Sequence, residues 1–204
     1  MAETRIHNRL LGKERVVKDP GFARFLTSNP LASLIWLPLR IWLGWQWFDA
    51  GLHKVNNPAW VKTGEALKGF WAGAVAIPEG GRPTIAFDWY RQFLQFMLNA
   101  EAYTWFGKLV AYGELLIGIA LILGAFTGIA AFFGGFMNWN FIMAGSASTN
   151  GLMFAIAVGL ILAWKVAGYI GADYILLPLI GTPWGRKEAE PAGRLAEGAV
   201  TAGD

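Results

Sequence analysis

The chain has 204 residues, 55% hydrophobic and only 15% charged, with 11 Trp, 14 Phe and no Cys. An ordinary soluble domain carries about a quarter charged residues, and here the apolar surplus is clustered into runs, which argues for membrane spans within one domain. The net charge of +3 does not point to nucleic acid, because the basic residues flank apolar runs as the positive-inside rule expects.

The absence of Cys excludes disulfides, a redox dithiol, persulfide carriage and Cys-ligated iron–sulfur or zinc sites within this chain. His7 and His53 are the only histidines. A haem held by both would have to join a cytoplasmic arm to the opposite membrane face, so no haem and no metal site are expected.

Residues 1–30 form a basic arm carrying Arg5, Arg9, Lys13, Arg15, Lys18 and Arg24. It has no apolar h-region and therefore does not read as a cleavable signal peptide. The membrane domain follows over 31–180, and a tail of Ala, Gly and charge over 181–204 is expected to be flexible. A bilayer core of about 30 Å needs roughly 20 mainly apolar helical residues. Four segments qualify: Leu31 to Leu52, Tyr103 to Phe126, Thr127 to Gly145 and Thr149 to Ala167. The expected fold is all-α, an integral membrane four-helix bundle with an extended outer loop that carries short interfacial helices. The basic arm places both termini in the cytoplasm of a prokaryotic cell. Trp45, Trp47, Tyr103 and Trp105 would mark the outer interface, and Trp36, Trp164, Tyr169 and Trp184 the inner one. In the fourth span Gly151, Ala155, Gly159, Ala163 and Ala167 recur every four positions, a smooth ridge for close packing. Ala131 and Gly135 offer a shorter ridge in the third.

The outer loop, about 53–102, is too long for a plain connector. Asn57-Pro58 reads as an N-cap with proline at N1, opening one short helix through "AWVKTGEALKGFWAGAVA". Asp88 is positioned to cap "WYRQFLQFMLN" (89–99), which is too short to span and is expected to rest on the membrane. After the fourth span, residues 168–185 are expected along the cytoplasmic surface, with Asp173 there.

The polar groups inside the spans carry the chemistry. Arg40 lies near the middle of the first span and Glu114 near the middle of the second. A lone charge at the bilayer centre costs at least about 2.5–3.5 kcal/mol, so the two are expected to pair directly. Asp49 lies one turn before His53 near the outer interface, where they are placed to share a proton. Lys54 points to another face, toward headgroups or a substrate oxyanion. Asn138 and Asn140 lie about 200° apart on their helix, so at most one faces a given pocket. Trp42 and Trp45 share a side with Asp49 and are candidates to wall a flat ring. Each feature also has a plain structural reading. Arg40–Glu114 serves equally as a staple between helices, Asp49–His53 as a solvated interface, and the asparagines as interhelical hydrogen-bond glue.

The stretches "LRIWLGWQWFDAGLHKVNNPAW" and "GELLIGIALILGAFTGIAAFFGGFMNWNFIMAGSAS", followed by "AGYIGADYILL" (167–177), resemble the DoxX/DoxD family of small four-span membrane proteins. The matching positions are Arg40, Gly51, Lys54, Glu114, Gly124 and Asp173. "NPAW" and "MNWNF" lean to the DoxD side, the membrane subunit of thiosulfate:quinone oxidoreductase. The second motif departs from the family's Thr-Arg ending, reading Phe126-Thr127-Gly128.

Two functions follow from the resemblance and the residues. In the first, the chain is the membrane subunit of a quinone-linked oxidoreductase. There Arg40 and Glu114 act with Asp49 and His53 as catalytic groups, and Asn138, Trp42 and Trp45 hold the quinone. Lys54 and Lys62 meet an oxoanion donor, with Lys68 and Arg91 as further guides, and a partner subunit holds the electron-transfer centre. In the second, the chain is a non-catalytic scaffold in a respiratory or photosynthetic complex.

Overall fold

The computed structural model describes residues 19–181. The expected basic arm up to residue 18, and the tail from residue 182, lie outside the described residues. Among the described residues the regular structure is helical. A short helix α1 (Gly21–Ser28) and a 3-10 turn at Pro30–Ala32 lead into α2 (Ser33–Val55). Helices α3 (Pro58–Val61), α4 (Glu65–Val75) and α5 (Asp88–Asn99) form the long loop. Then come α6 (Tyr103–Leu123), α7 (Thr127–Met143), α8 (Asn150–Leu162), α9 (Trp164–Ala167) and α10 (Asp173–Leu179).

The four apolar segments of the sequence correspond to α2, α6, α7 and the α8–α9 run. Among the described residues α6 is the one helix that is both long and apolar enough to cross a membrane by that test alone, with a mean hydropathy of 1.8. Helix α2 is longer but carries Arg40, Asp49 and Lys54, and α7 has 17 residues. The fourth segment is interrupted: α8 stops after Leu162, and Ala163 leads into the single turn α9.

Helix α2 packs along α6 and α7 along α8, and α6 touches α7 while α2 touches α8 and α9. One apolar core runs through all of these, from Leu43 and Trp47 through Ile117 and Leu121 to Ala131, Ala157 and Leu160. A second core lies at the loop end, where Leu67, Trp71, Ile85, Tyr90, Leu94 and Tyr103 meet. The outward faces of the long helices stay apolar: Leu109, Leu116 and Leu123 on α6, and Phe132, Phe133 and Phe136 on α7, are all exposed.

The tightest helix contact belongs to α2 and α6, and glycine makes it. A Cβ on Gly51 would strike the Leu115 backbone, and one on Gly118 the Phe48 backbone. A Cβ on Gly44 would sit 2.9 Å from the Ile122 backbone nitrogen. Small residues let two backbones approach closely. The ridge expected on the fourth segment holds only in its second half. Gly151 and Ala155 face outward, whereas Gly159 lies against the Trp36 ring and Ala163 and Ala167 are buried, with Met153, Ala157 and Leu160 completing the packed side. The shorter ridge holds, since Gly135 lies against Ala157 and Ala131 is fully buried.

The loop also differs in detail. Asn57 caps as expected, its side chain accepting from the Ala59 amide at 2.9 Å. The helix it opens ends after one turn, because Gly64 adopts φ +77° against the Tyr103 carbonyl, where a side chain does not fit. Helix α5 turns Tyr90 and Leu94 into the protein and leaves Trp89, Phe93 and Phe96 exposed.

Candidate functional site

At the loop end, the last turn of α2 brings Lys54 to Glu114. Lys54 Nζ donates to Glu114 Oε2 at 2.6 Å, with the carboxylate 1% exposed and the lysine 20% exposed. The close approach at Gly51 sets this geometry, laying α2 directly on the backbone at Glu114 and Leu115. Trp60, delivered by α3, covers the ammonium at 5.2 Å from its ring centroid. Taking two charges out of water is costly, and only their close contact and further polar partners offset it. The ring adds a cation–π contact to that balance.

Asp49 and His53 do face each other, at 3.6 Å, but both are exposed and stand outside the buried pair. Lys62 is exposed on the link between α3 and α4. Lys68 pairs with Glu65 at 3.3 Å, and Arg91 with Asp88 at 3.3 Å. Trp42 and Trp45 lie on the outer surface of α2, Trp45 tilted against Phe48 at 5.8 Å.

The opposite end of the molecule, where α6 turns into α7, holds Arg40. Its Nη1 donates to the Ala167 carbonyl at 3.0 Å and its Nη2 to the Ile170 carbonyl at 2.8 Å. The Ala167 carbonyl is the last of α9 and the Ile170 carbonyl lies in the link to α10. Gly124 (φ +66°) and Gly171 border the guanidinium, and a Cβ on either would collide with it. Next to this lies Asp173, fully buried, whose oxygens accept from the Phe126 amide at 2.5 Å and the Thr127 amide at 2.9 Å. A carboxylate there satisfies free amides at the start of α7 and complements its dipole. Backbone bonds from Ala172 to Leu123 and from Asp173 to Gly124 complete the knot.

The expected Arg40–Glu114 pair is therefore replaced by two separate arrangements. The contacts of Gly51 with Leu115, Phe48 with Gly118 and Gly44 with Ile122 fix the register of α2 against α6. In that register Arg40 falls opposite the α6–α7 turn, about twelve residues or roughly 18 Å of helix from Glu114. Asp173, expected at the surface, is likewise fully buried, although Tyr174, Ile175 and Leu179 of the same segment are exposed. The start of α10 is held against the α6–α7 turn, where the Asp173 carboxylate accepts from the Phe126 and Thr127 amides.

Asn138 is fully buried, donating through Nδ2 to Asn150 Oδ1 at 2.9 Å, and its Oδ1 has no partner among the described residues. Asn140 accepts from the Tyr90 hydroxyl at 3.1 Å. Both asparagines bridge elements, the plainer of their two expected roles. Trp47 points inward rather than marking an interface, its buried Nε1 also without a partner. That nitrogen lies against Gly134, one turn before Asn138 on α7. Thr127, noted in the sequence only as part of Phe126-Thr127-Gly128, is fully buried at the start of α7, and its hydroxyl has no partner among the described residues.

The DoxX family model matches residues 35–147, more than half of the chain, from α2 through α7. No curated protein and no solved structure matches.

Proposed function

The chain belongs to the DoxX family, a family of membrane proteins, and we propose that it is the membrane subunit of a quinone-linked oxidoreductase. In this reading α2, α6, α7 and the α8–α9 run are four spans, with both termini on the cytoplasmic side and the α3–α5 loop outside. The apolar outward faces of these helices support that embedding, since contiguous exposed apolar surface of this extent does not suit water.

The observation that carries the reading is the Lys54–Glu114 pair. Ionisable residues held within a membrane helix bundle are expensive and mark charge or substrate paths. Glu114 is sealed in the bundle while Lys54 reaches its edge, so the pair links interior and exterior by one hydrogen bond. An oxoanion donor such as thiosulfate would compete with Glu114 for Lys54, and Lys62 stands exposed at the same end. Arg40 is reassigned from catalysis to structure, because its two bonds go to backbone carbonyls. The electron-transfer centre belongs to a partner subunit.

The test is quinone reduction by the complex isolated in mild detergent. Glu114→Gln is expected to lower turnover at least tenfold in a complex that still assembles. Unchanged turnover would reject the reading. The scaffold alternative draws on the aromatic outer face of α7, with Phe132, Phe133, Phe136 and Trp139 presented together. It requires a large complex to keep its activity once this chain is removed.

A further inference from the structure

Two polar atoms are stranded inside the bundle. Trp47 Nε1, on α2, and Asn138 Oδ1, on α7, are both buried and have no partner among the described residues. The indole nitrogen can only donate and the amide oxygen can only accept. Leaving either unpaired away from water costs free energy. The two are also neighbours. A Cβ on Gly134 would lie 2.9 Å from Trp47 Nε1, so the indole edge takes up the space that this glycine leaves on α7. Asn138 stands four residues further along the same helix. Residues so spaced have Cβ atoms about 5–6 Å apart, and helical side chains lean back toward the N-terminus. That brings the Asn138 amide toward Gly134 and the indole. Its Nδ2 is already turned to Asn150 Oδ1 on α8, at 2.9 Å, which leaves Oδ1 on the other side of the amide plane.

We propose that a single water molecule is bound between Trp47 and Asn138, accepting from Trp47 Nε1 and donating to Asn138 Oδ1. Two hydrogen bonds of about 2.9 Å meeting at a tetrahedral angle span roughly 4.7 Å, which suits an offset of one helical turn. One donor facing one acceptor is the complement of a water and not of a monatomic ion, and two polar partners suffice to hold an internal water. A polar route reaches the site from the loop end. Half-buried Asn150 continues it from Asn138 to the Ser146 carbonyl, at 2.9 Å, and residues 147–149 beyond are exposed. Toward the opposite end Leu121, Ala157 and Leu160 are fully buried and offer water no partner. The bridge ties α2 to α7, and so the α2–α6 pair to the α7–α8 pair, through the apolar core that both pairs share. It needs the helix bundle alone and stands apart from the quinone-linked reading.

The experiment is proton-detected solid-state NMR of the full chain in nanodiscs, with isotope-labelled indole nitrogens. Trp47→Phe identifies the Trp47 signal by its loss, and the readout is magnetisation transfer from water to that indole proton. Transfer is expected in the native protein even though the indole is buried. Asn138→Leu, similar in volume and without an acceptor, is expected to abolish it. Asn138→Ser, which keeps an oxygen and leaves room, should preserve it. The remaining indole signals report that each variant has folded. No transfer in the native protein overturns the site without recourse to any variant. Transfer that survives in Asn138→Leu overturns it as well, because water would then reach the indole unaided. Transfer lost in Asn138→Ser does the same, because an acceptor at this position would not be what holds the water.

Discussion

Lys54 and Glu114 illustrate how asymmetric an ion pair becomes when one member is sealed. Lys54→Met leaves Glu114 buried without its cation, and breaking such a pair is strongly destabilising. We expect a loss of about 3 kcal/mol, at the low end because Lys54 is one-fifth exposed. Lys54→Met combined with Glu114→Leu should recover most of it, because no charge then remains buried. Thermal unfolding in detergent compares the two, and a double variant no more stable than the single one would contradict the account. Tyr90 supplies a pH signature at the loop end. Burial pushes its phenol up to about 12, against about 10 in an unfolded chain. The unfolded state therefore loses its proton first, and stability falls as pH rises between those values, by on the order of 2 kcal/mol. Tyr90→Phe should flatten the unfolding profile in that window. An equally steep profile in the variant would show that other groups govern it.

Helices were legible from apolar length, and their pairing was not. The long elements occur where apolar composition placed them, and Asn57 caps α3 as expected. The single loop helix is instead split into α3 and α4, and Asp88 lies inside α5, bonded to Arg91 rather than capping the helix. The register of α2 on α6 could not be read by aligning span midpoints, which put Arg40 beside Glu114. It is set by Gly44, Gly51 and Gly118, whose irregular spacing does not show as a ridge in either helix. The regular ridge of α8 and α9 drew attention instead, although its first two residues, Gly151 and Ala155, face outward. Asp173 was visible as a carboxylate but not as a cap, because its target amides lie 46 and 47 residues away. Thr127 had no sequence signal beyond being a hydroxyl at a helix start. The glycine argument yields a sharp contrast. Gly118→Ala should destabilise by about 1–3 kcal/mol, the usual penalty of overpacking, since its Cβ would meet the Phe48 backbone. Gly69→Ala on α4, where nothing lies within 4 Å, should stabilise by about 0.5–1 kcal/mol through reduced backbone entropy. Chemical or thermal unfolding of both variants checks the pair, and equal effects would rule out glycine-set register.

At the scale of the molecule, the charges fall at two ends separated by an apolar core. The absence of cysteine makes the proposed topology directly testable in intact cells. Thr63→Cys in the loop should react with a membrane-impermeant maleimide from outside, whereas Ser28→Cys should react only after lysis. Labelling of both from one side would refute four spans. The Arg40 bonds also have a temporal meaning. Its acceptors Ala167 and Ile170 lie 127 and 130 residues further along the chain. The guanidinium thus enters the forming bundle long before the ribosome has made either carbonyl. Until they arrive, α2 carries an unanswered charge, and the last described turns of the chain close a structure that its first long helix has been holding open.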